Sequence, residues 1–439
     1  MLQRIRNHYF FPLFLLFSLV LLSGIGVTLP IPNIVNISTS INFEYLGFIE
    51  AAFVLISILF IIIWGYLVDK FDRKTLLFFS IIIWVFPSIL IASFPFSIQI
   101  YFFGRILMAI GLSALSPLSY SILGDYAIYQ ERGFLSSGLN LAWVGSSAIG
   151  ILIGALFSFC WNLSFAFIAV LGIILMIWQL FLIIPERGRQ EPFFVKIENY
   201  HYPFRITISG IITTLHSRTI LGLLIQGFFA LIPGTIFTYS LISFLSSGEG
   251  LLLNIGQASI FALVIASGRA LGYPIFGKIG DYLTLKNGEP RIRAILAALC
   301  MAGQAVFFFI AFILLNDNLV SILIFAGFFW IGSFIGAASG PNRTSLMFEV
   351  SFPEHRGSLG SLFSLTDQLG EVFGLVFSTF FLNLYSYVEV FIFSLVFYLI
   401  ASFVWSLTIN KINADRSAIK VRMEARKSII QASGINSGS

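Results

Sequence analysis

The stretch GYLVDKFDRK, residues 65–74, sets five charged side chains into ten positions at the end of a run, 44–66, that is otherwise almost wholly apolar. A shorter version, GKIGDY, returns at 277–282 after another apolar run. A charged knot between two apolar runs is what a chain shows where it leaves one membrane helix and enters the next. The bulk composition extends that reading to the whole sequence. Of 439 residues, 58% are hydrophobic and 10% charged, against about 25% charged in an average soluble domain. So much apolar surface requires lipid as its solvent.

Outward from the knot, the apolar runs number about twelve, each close to the roughly 20 residues a helix needs to cross about 30 Å of hydrocarbon. They lie near 10–31, 44–66, 75–93, 98–123, 134–159, 163–184, 219–246, 255–276, 294–315, 319–345, 358–384 and 388–410. A membrane barrel would alternate polar and apolar residues in short segments, which a run such as FIFSLVFYLIASFVW (391–405) does not. The expected fold class is therefore an all-α membrane protein of twelve transmembrane helices. With both termini inside, all of the 25 lysines and arginines except Arg105 and Arg269 fall toward the inner side, and Glu44, Glu249, Asp317 and Glu389 are left on the outer side. That distribution follows the positive-inside rule, so the net charge of +5 encodes topology and not nucleic-acid binding. The expectation is a multi-pass protein of the plasma membrane with cytoplasmic termini, surrounded by membrane lipids and monomeric.

Span six ends at IIPERGRQEP (183–192), and the next span begins near Arg218. The organisation read from this is a six-helix bundle over 1–185, a cytoplasmic interdomain loop over 186–218, a second six-helix bundle over 219–410 and a basic tail over 411–439. The halves repeat. Gly65 and Asp69 align with Gly277 and Asp281 at an offset of 212, and QERGFLSSGLNLAWVG (130–145) aligns with EHRGSLGSLFSLTDQLG (354–370) at an offset of 224. Parallel repeats of this kind place a substrate site between two bundles near the midplane.

Gly65, Asp69, Arg73 and Lys74 carry a resemblance to the signature between spans two and three of the major facilitator superfamily: a glycine, an aspartate four residues on, then a basic pair. The second copy keeps Gly277 and Asp281 without the basic pair. Twelve spans, a long central loop and the repeat agree with that family. The resemblance implies two pseudo-symmetric six-helix bundles that rock about a central site, with the charged knots latching the cytoplasmic gate. Asp125, Arg132, Glu354 and Arg356, which follow spans four and ten, join the gate group. Within the superfamily, RILMAIGLSALSPLSYSILGDYAIYQERG (105–133) is similar to the fourth-span region of Spinster-type lipid transporters, which implies a lipid-like or amphipathic substrate. It departs from them at Leu112, where they carry an acidic residue after the glycine, and in having no acidic residue over 10–31.

Charges inside a membrane are costly and mark function. The candidates for substrate binding or proton coupling are Glu50, Arg105, Arg269, Asp367 and Glu371, with Gln368 beside the last two. Arg269 lies eight residues before Gly277, roughly 12 Å in from the cytoplasmic end, and Asp367 eleven after Arg356, roughly 16 Å in. Asp367 and Glu371 share one helical face one turn apart. Two carboxylates in one cavity disfavour double ionisation, so one becomes a proton site. The expectation is that Arg269 meets Asp367 or Glu371 in one conformation and that a proton or an anionic substrate group replaces that contact in another. Arg105 either faces a substrate head group or extends to the outer interface. Pro233 and Gly234 mark an expected break in span seven.

The functional expectation is a secondary transporter working by alternating access, proton-coupled, for a small-molecule or lipid-like solute. An uncoupled facilitator, an organic-anion uptake system and a receptor or scramblase on the same fold are the alternatives. An enzyme is not expected. The four histidines, at 8, 201, 216 and 355, all lie in inner segments, Asp125 and Asp281 lie at span ends, and no phosphate-binding loop occurs. No cofactor or metal is expected.

Overall fold

Apolar runs separated by charged turns fold here into long helices, as backbone groups in lipid require. The computed structural model describes residues 2–43, 46–195, 197, 200–248, 250, 252–253, 255–316 and 319–436. Glu44, Glu249 and Asp317, three of the charges assigned to the outer side, lie outside the described residues. In chain order the helices are α1 (Leu2–Thr28), α2 (Ile34–Ile41), α3 (Leu46–Lys70), α4 (Arg73–Ser93), α5 (Ile98–Ser113), α6 (Leu115–Tyr126), α7 (Arg132–Leu156), α8 (Asn162–Leu180), α9 (Ile208–Leu215), α10 (Arg218–Ser246), α11 (Ile255–Asn287), α12 (Arg291–Ile313), α13 (Leu319–Gly336), α14 (Ser339–Glu349), α15 (Arg356–Phe381) and α16 (Tyr387–Asn436).

Among the described residues, eleven helical segments are long and apolar enough to cross a membrane. The twelfth expected span corresponds to α15, which is 26 residues long but diluted by Asp367, Gln368, Glu371 and four glycines. It packs on α3, α6 and α10. Two expected spans are split. Span four is α5 followed by α6, with Ala114 between them, and span ten is α13 followed by α14. Span seven is not broken as expected, since α10 runs unbroken through Pro233.

Helices α1–α8 pack mainly among themselves, as do α10–α16. The principal contacts between these groups are α3 and α6 against α15, and α7 against α11 and α14. All of these close at one end of the molecule, the end where α3 and α11 finish and α7 and α15 start. That charged end also carries the connection between α8 and α10.

The basic tail is helical, because α16 runs on past the apolar run 388–410 to Asn436. Ile412, Ile419, Met423 and Ile430 recur at spacings of seven, four and seven, one face of a helix. Met423 and Ile430 join Phe194, Ile197, Tyr202 and Phe352 in a small apolar cluster apart from the main core. Arg426 adds an ion pair to Glu354 at 2.8 Å.

Candidate functional site: cross-bundle helix caps and a part-buried ion pair

Helices need partners for their first N–H groups, and many in this chain supply their own. Asp72, Ser97 and Ser217 each accept from a backbone N–H two or three residues into α4, α5 and α10. Helices α7 and α15 have no side-chain cap of their own. Their N–H groups are capped across the bundle interface instead. Asp69, at the end of α3, accepts from the N–H of Gly357 at 2.8 Å and of Ser358 at 2.6 Å. Asp281, near the end of α11, accepts from Gly133 at 2.8 Å and Phe134 at 2.9 Å. A buried carboxylate on a helix N-terminus gains from both the bonds and the helix dipole. Gly65 and Gly277 make the approach possible, since a Cβ at Gly65 would lie 2.2 Å from Ser361 Oγ, and one at Gly277 would lie 2.5 Å from the Gly133 carbonyl.

Behind each cap stands a buried arginine. Arg293, the third residue of α12, donates to Asp281 at 2.6 Å and Glu349 at 3.3 Å, supplying from further along the chain the basic partner that the second copy lacks. Arg73 donates to Asp125, while Asp69 receives Arg187 at 3.4 Å. Asp125 also accepts from Gly188 N–H at 2.7 Å and faces Arg356 at 3.5 Å. Lys74 is not brought to this cluster; it donates to the Leu180 carbonyl at the end of α8. Glu354 likewise turns away, binding Arg426 and the Tyr202 hydroxyl.

The central connection crosses this charged end. Glu191 is buried between Arg132 of α7 and Arg356 of α15, accepting from both. Burial opposes its charge, but Arg132 and Arg356 outweigh it and hold the carboxyl below its usual range. Burial and the neighbouring Arg73 together lower Arg187 from its usual value. Arg187, Glu191, Arg293 and Glu349 were not among the expected gate residues.

Deeper in the molecule the interface ends on polar contacts between the groups, including a hydrogen bond between the Ser116 and Ser364 hydroxyls. Next to this floor, Arg343 of α14 grips Asp367 of α15 with one nitrogen 2.8 and 2.9 Å from the two carboxylate oxygens. Its Nε donates to the Leu223 carbonyl at 2.9 Å, and its guanidinium lies 4.4 Å over the Phe363 ring. Tyr120 of α6 faces this pair from the other bundle. Glu371, one turn on, is exposed and near Tyr239 of α10; among the described residues it makes no ion pair. Gln368 is half-buried beside them.

The expected meeting of Arg269 with Asp367 or Glu371 does not occur: Arg343 occupies Asp367, and Arg269 lies against Tyr273 and Tyr398. Similar depth along two helices does not bring their side chains to the same azimuth. Arg105 neither faces a cavity nor extends outward. It is fully buried, bonding Glu50 at 2.5 and 3.1 Å and the Gly26 carbonyl at 2.9 Å, so Glu50 and Arg105 form a brace within the first group of helices.

Comparison with known proteins places this architecture. The profile of the Major Facilitator Superfamily matches residues 16–347. The chain belongs to the major facilitator superfamily. Solved structures with the same fold include the Escherichia coli fucose:proton symporter FucP, with TM-score 0.67 and 13% identity over 91% of this chain and 98% of that one. The human organic anion transporter MFSD10 aligns with TM-score 0.66 and 16% identity over 90% of this chain and 99% of that one. Among curated relatives, the multidrug transporter AQR1 of Candida glabrata is 34% identical over 22% of this chain, and the probable transporter AQR1 of Saccharomyces cerevisiae 32% over 28%. These matches span only 16% and 21% of those relatives' own length. Members of the superfamily are transporters and not enzymes. The Spinster-like resemblance finds no support in these relatives.

Proposed function

We propose that this superfamily member is a proton-coupled secondary transporter of a small organic or amphipathic solute, with Asp367 and Glu371 as the coupling carboxylates and Arg343 as their counter-ion. The observation that carries this reading is the Arg343–Asp367 pair, one guanidinium nitrogen on both carboxylate oxygens, beside the floor where the two groups of helices meet, with Glu371 one turn away and making no ion pair among the described residues. One guanidinium against two carboxylates leaves one negative charge in excess, which a proton can cancel. The other groups facing the carboxylates are the phenols of Tyr120 and Tyr239. In this reading the charged end is cytoplasmic, 1–185 and 219–410 are the bundles that rock about the site, and the capped helices hold the cytoplasmic side closed while the opposite side admits substrate. The protein acts as a monomer in the cell membrane. Some superfamily members with this fold are named as proton symporters, which agrees with the reading without deciding it.

The test is uptake into proteoliposomes of a panel of sugars, organic acids and amphipathic cations, with and without an inward acid gradient. The wild type should accumulate its solute under the gradient. Glu371→Gln should keep gradient-free exchange and lose the stimulation, and Asp367→Asn should lose both. Unchanged pH dependence in both variants overturns the coupling assignment and leaves the ion pair a packing device.

A further inference from the structure

Three described arginines lie well inside the membrane-spanning helices, and they are not treated alike. Arg105 has Glu50, and Arg343 has Asp367. Arg269, midway along α11, has no carboxylate within salt-bridge distance among the described residues. Its neighbours are Tyr273, one turn on, and Tyr398 of α16, whose hydroxyl Gln304 of α12 also approaches. Across from it α10 presents the bare backbone of Gly234, where an added Cβ would lie 3.9 Å from the guanidinium. Arg105 is fully buried, whereas Arg269 is half-buried.

A guanidinium in lipid-depth protein loses its water, and neutral phenols replace only part of what water gave. Such a cation needs an anion, and among the described residues no carboxylate lies within salt-bridge distance of it. We propose that Arg269, Tyr273 and Tyr398 form the head-group site for a monovalent organic anion of the carboxylate type, a planar group that a guanidinium fork and phenolic donors fit. This rests on the transporter reading and adds a charge balance to it. Gly234 and Tyr239 are five residues apart on α10, roughly 7.5 Å along its axis, so the anion site at Arg269 and the proton site at Glu371 flank the same helix. The anion cancels the charge on Arg269, and the proton cancels the excess charge on Asp367 and Glu371. Anion and proton together cross without net charge.

The test uses three phenyl probes, the planar isosteres benzoate and benzamide and the cation phenyltrimethylammonium, on purified full-length protein in proteoliposomes. Wild type should bind benzoate at least tenfold more tightly than benzamide and take it up at a rate indifferent to an imposed potassium-diffusion potential. Arg269→Gln should erase the preference, and Arg269→Lys should restore part of it, whereas a packing role would weaken all three probes alike. Benzoate bound no better than benzamide, absence of binding included, or a preference surviving in Arg269→Gln, overturns the anion site. Glu371→Gln separates this from the coupling reading. Loss of gradient-driven uptake in that variant, with anion preference absent in wild type, sinks the anion site alone; anion preference with unchanged pH dependence sinks the coupling alone.

Discussion

At Gly227 the wall of α10 has no room for a side chain: a Cβ there would lie 2.1 Å from Arg343 Nη2 and 2.4 Å from Asp367 Oδ1. Gly227→Ala should displace the ion pair, lowering stability by about 1–3 kcal/mol as overpacking does and reducing uptake in the proteoliposome assay by at least tenfold. Unchanged uptake would show that the pair can move aside without consequence. His355 gives a pH-dependent counterpart outside the membrane. Burial, and secondarily Arg426, lower its ring below its ordinary 6.5 despite the opposing Glu354, while Nδ1 sits 2.7 Å from Thr214 Oγ1. Because the unfolded chain takes up the proton first, stability is full above pH 6.5 and falls as pH drops toward the folded value. Thermal midpoints measured from pH 8 to 5 should show that slope, and His355→Gln should flatten it. The capping aspartates Asp69 and Asp281 were legible because a fixed spacing from a glycine names them. Arg343 was not, having been assigned to the inner end of span ten. The repeat held the signal: an offset of 224 carries Pro117 onto Pro341 and Asp125 onto Glu349, so the split in span four announces the split in span ten. In this structure Arg269 meets neither carboxylate, because rise per residue gives depth and not direction.

Helices were easier to read than their ends. The apolar runs fixed the long elements, since a segment of that length in lipid has no other way to satisfy its backbone. The tail was harder, because its seven-four-seven stripe is interleaved with charges and its partner is the central connection, 190 or more residues earlier in the chain. Met423→Ala should cost about 2 kcal/mol or somewhat more and speed proteolytic cleavage within residues 193–204, where Phe194 and Tyr202 pack on the tail. Cleavage at the wild-type rate would mean that tail and connection do not hold each other. The same covering is visible in charge, with Glu191 joining α7 to α15 and Arg426 joining the tail to Glu354.

For the whole molecule, the two groups of helices are joined at the charged end by two related caps, Asp69 on α15 and Asp281 on α7, and by Glu191 between them. If they part there during transport, a disulfide across the floor must stop the cycle. Ser116→Cys with Ser364→Cys, in a Cys160→Ser, Cys300→Ser background, should cross-link on oxidation and lose uptake, which a reductant restores. The most direct measurement is the distance distribution between spin labels at positions 71 and 285, on opposite groups at the charged end, and at 96 and 384, at the other end, with Asp69→Ala and Asp281→Ala combined. Each lost charge-assisted cap costs the closed state about 1.5–3 kcal/mol, enough to shift its population more than tenfold. The 71–285 distance should lengthen while the 96–384 distance shortens. Distributions unchanged at both ends would contradict a gate held by these caps.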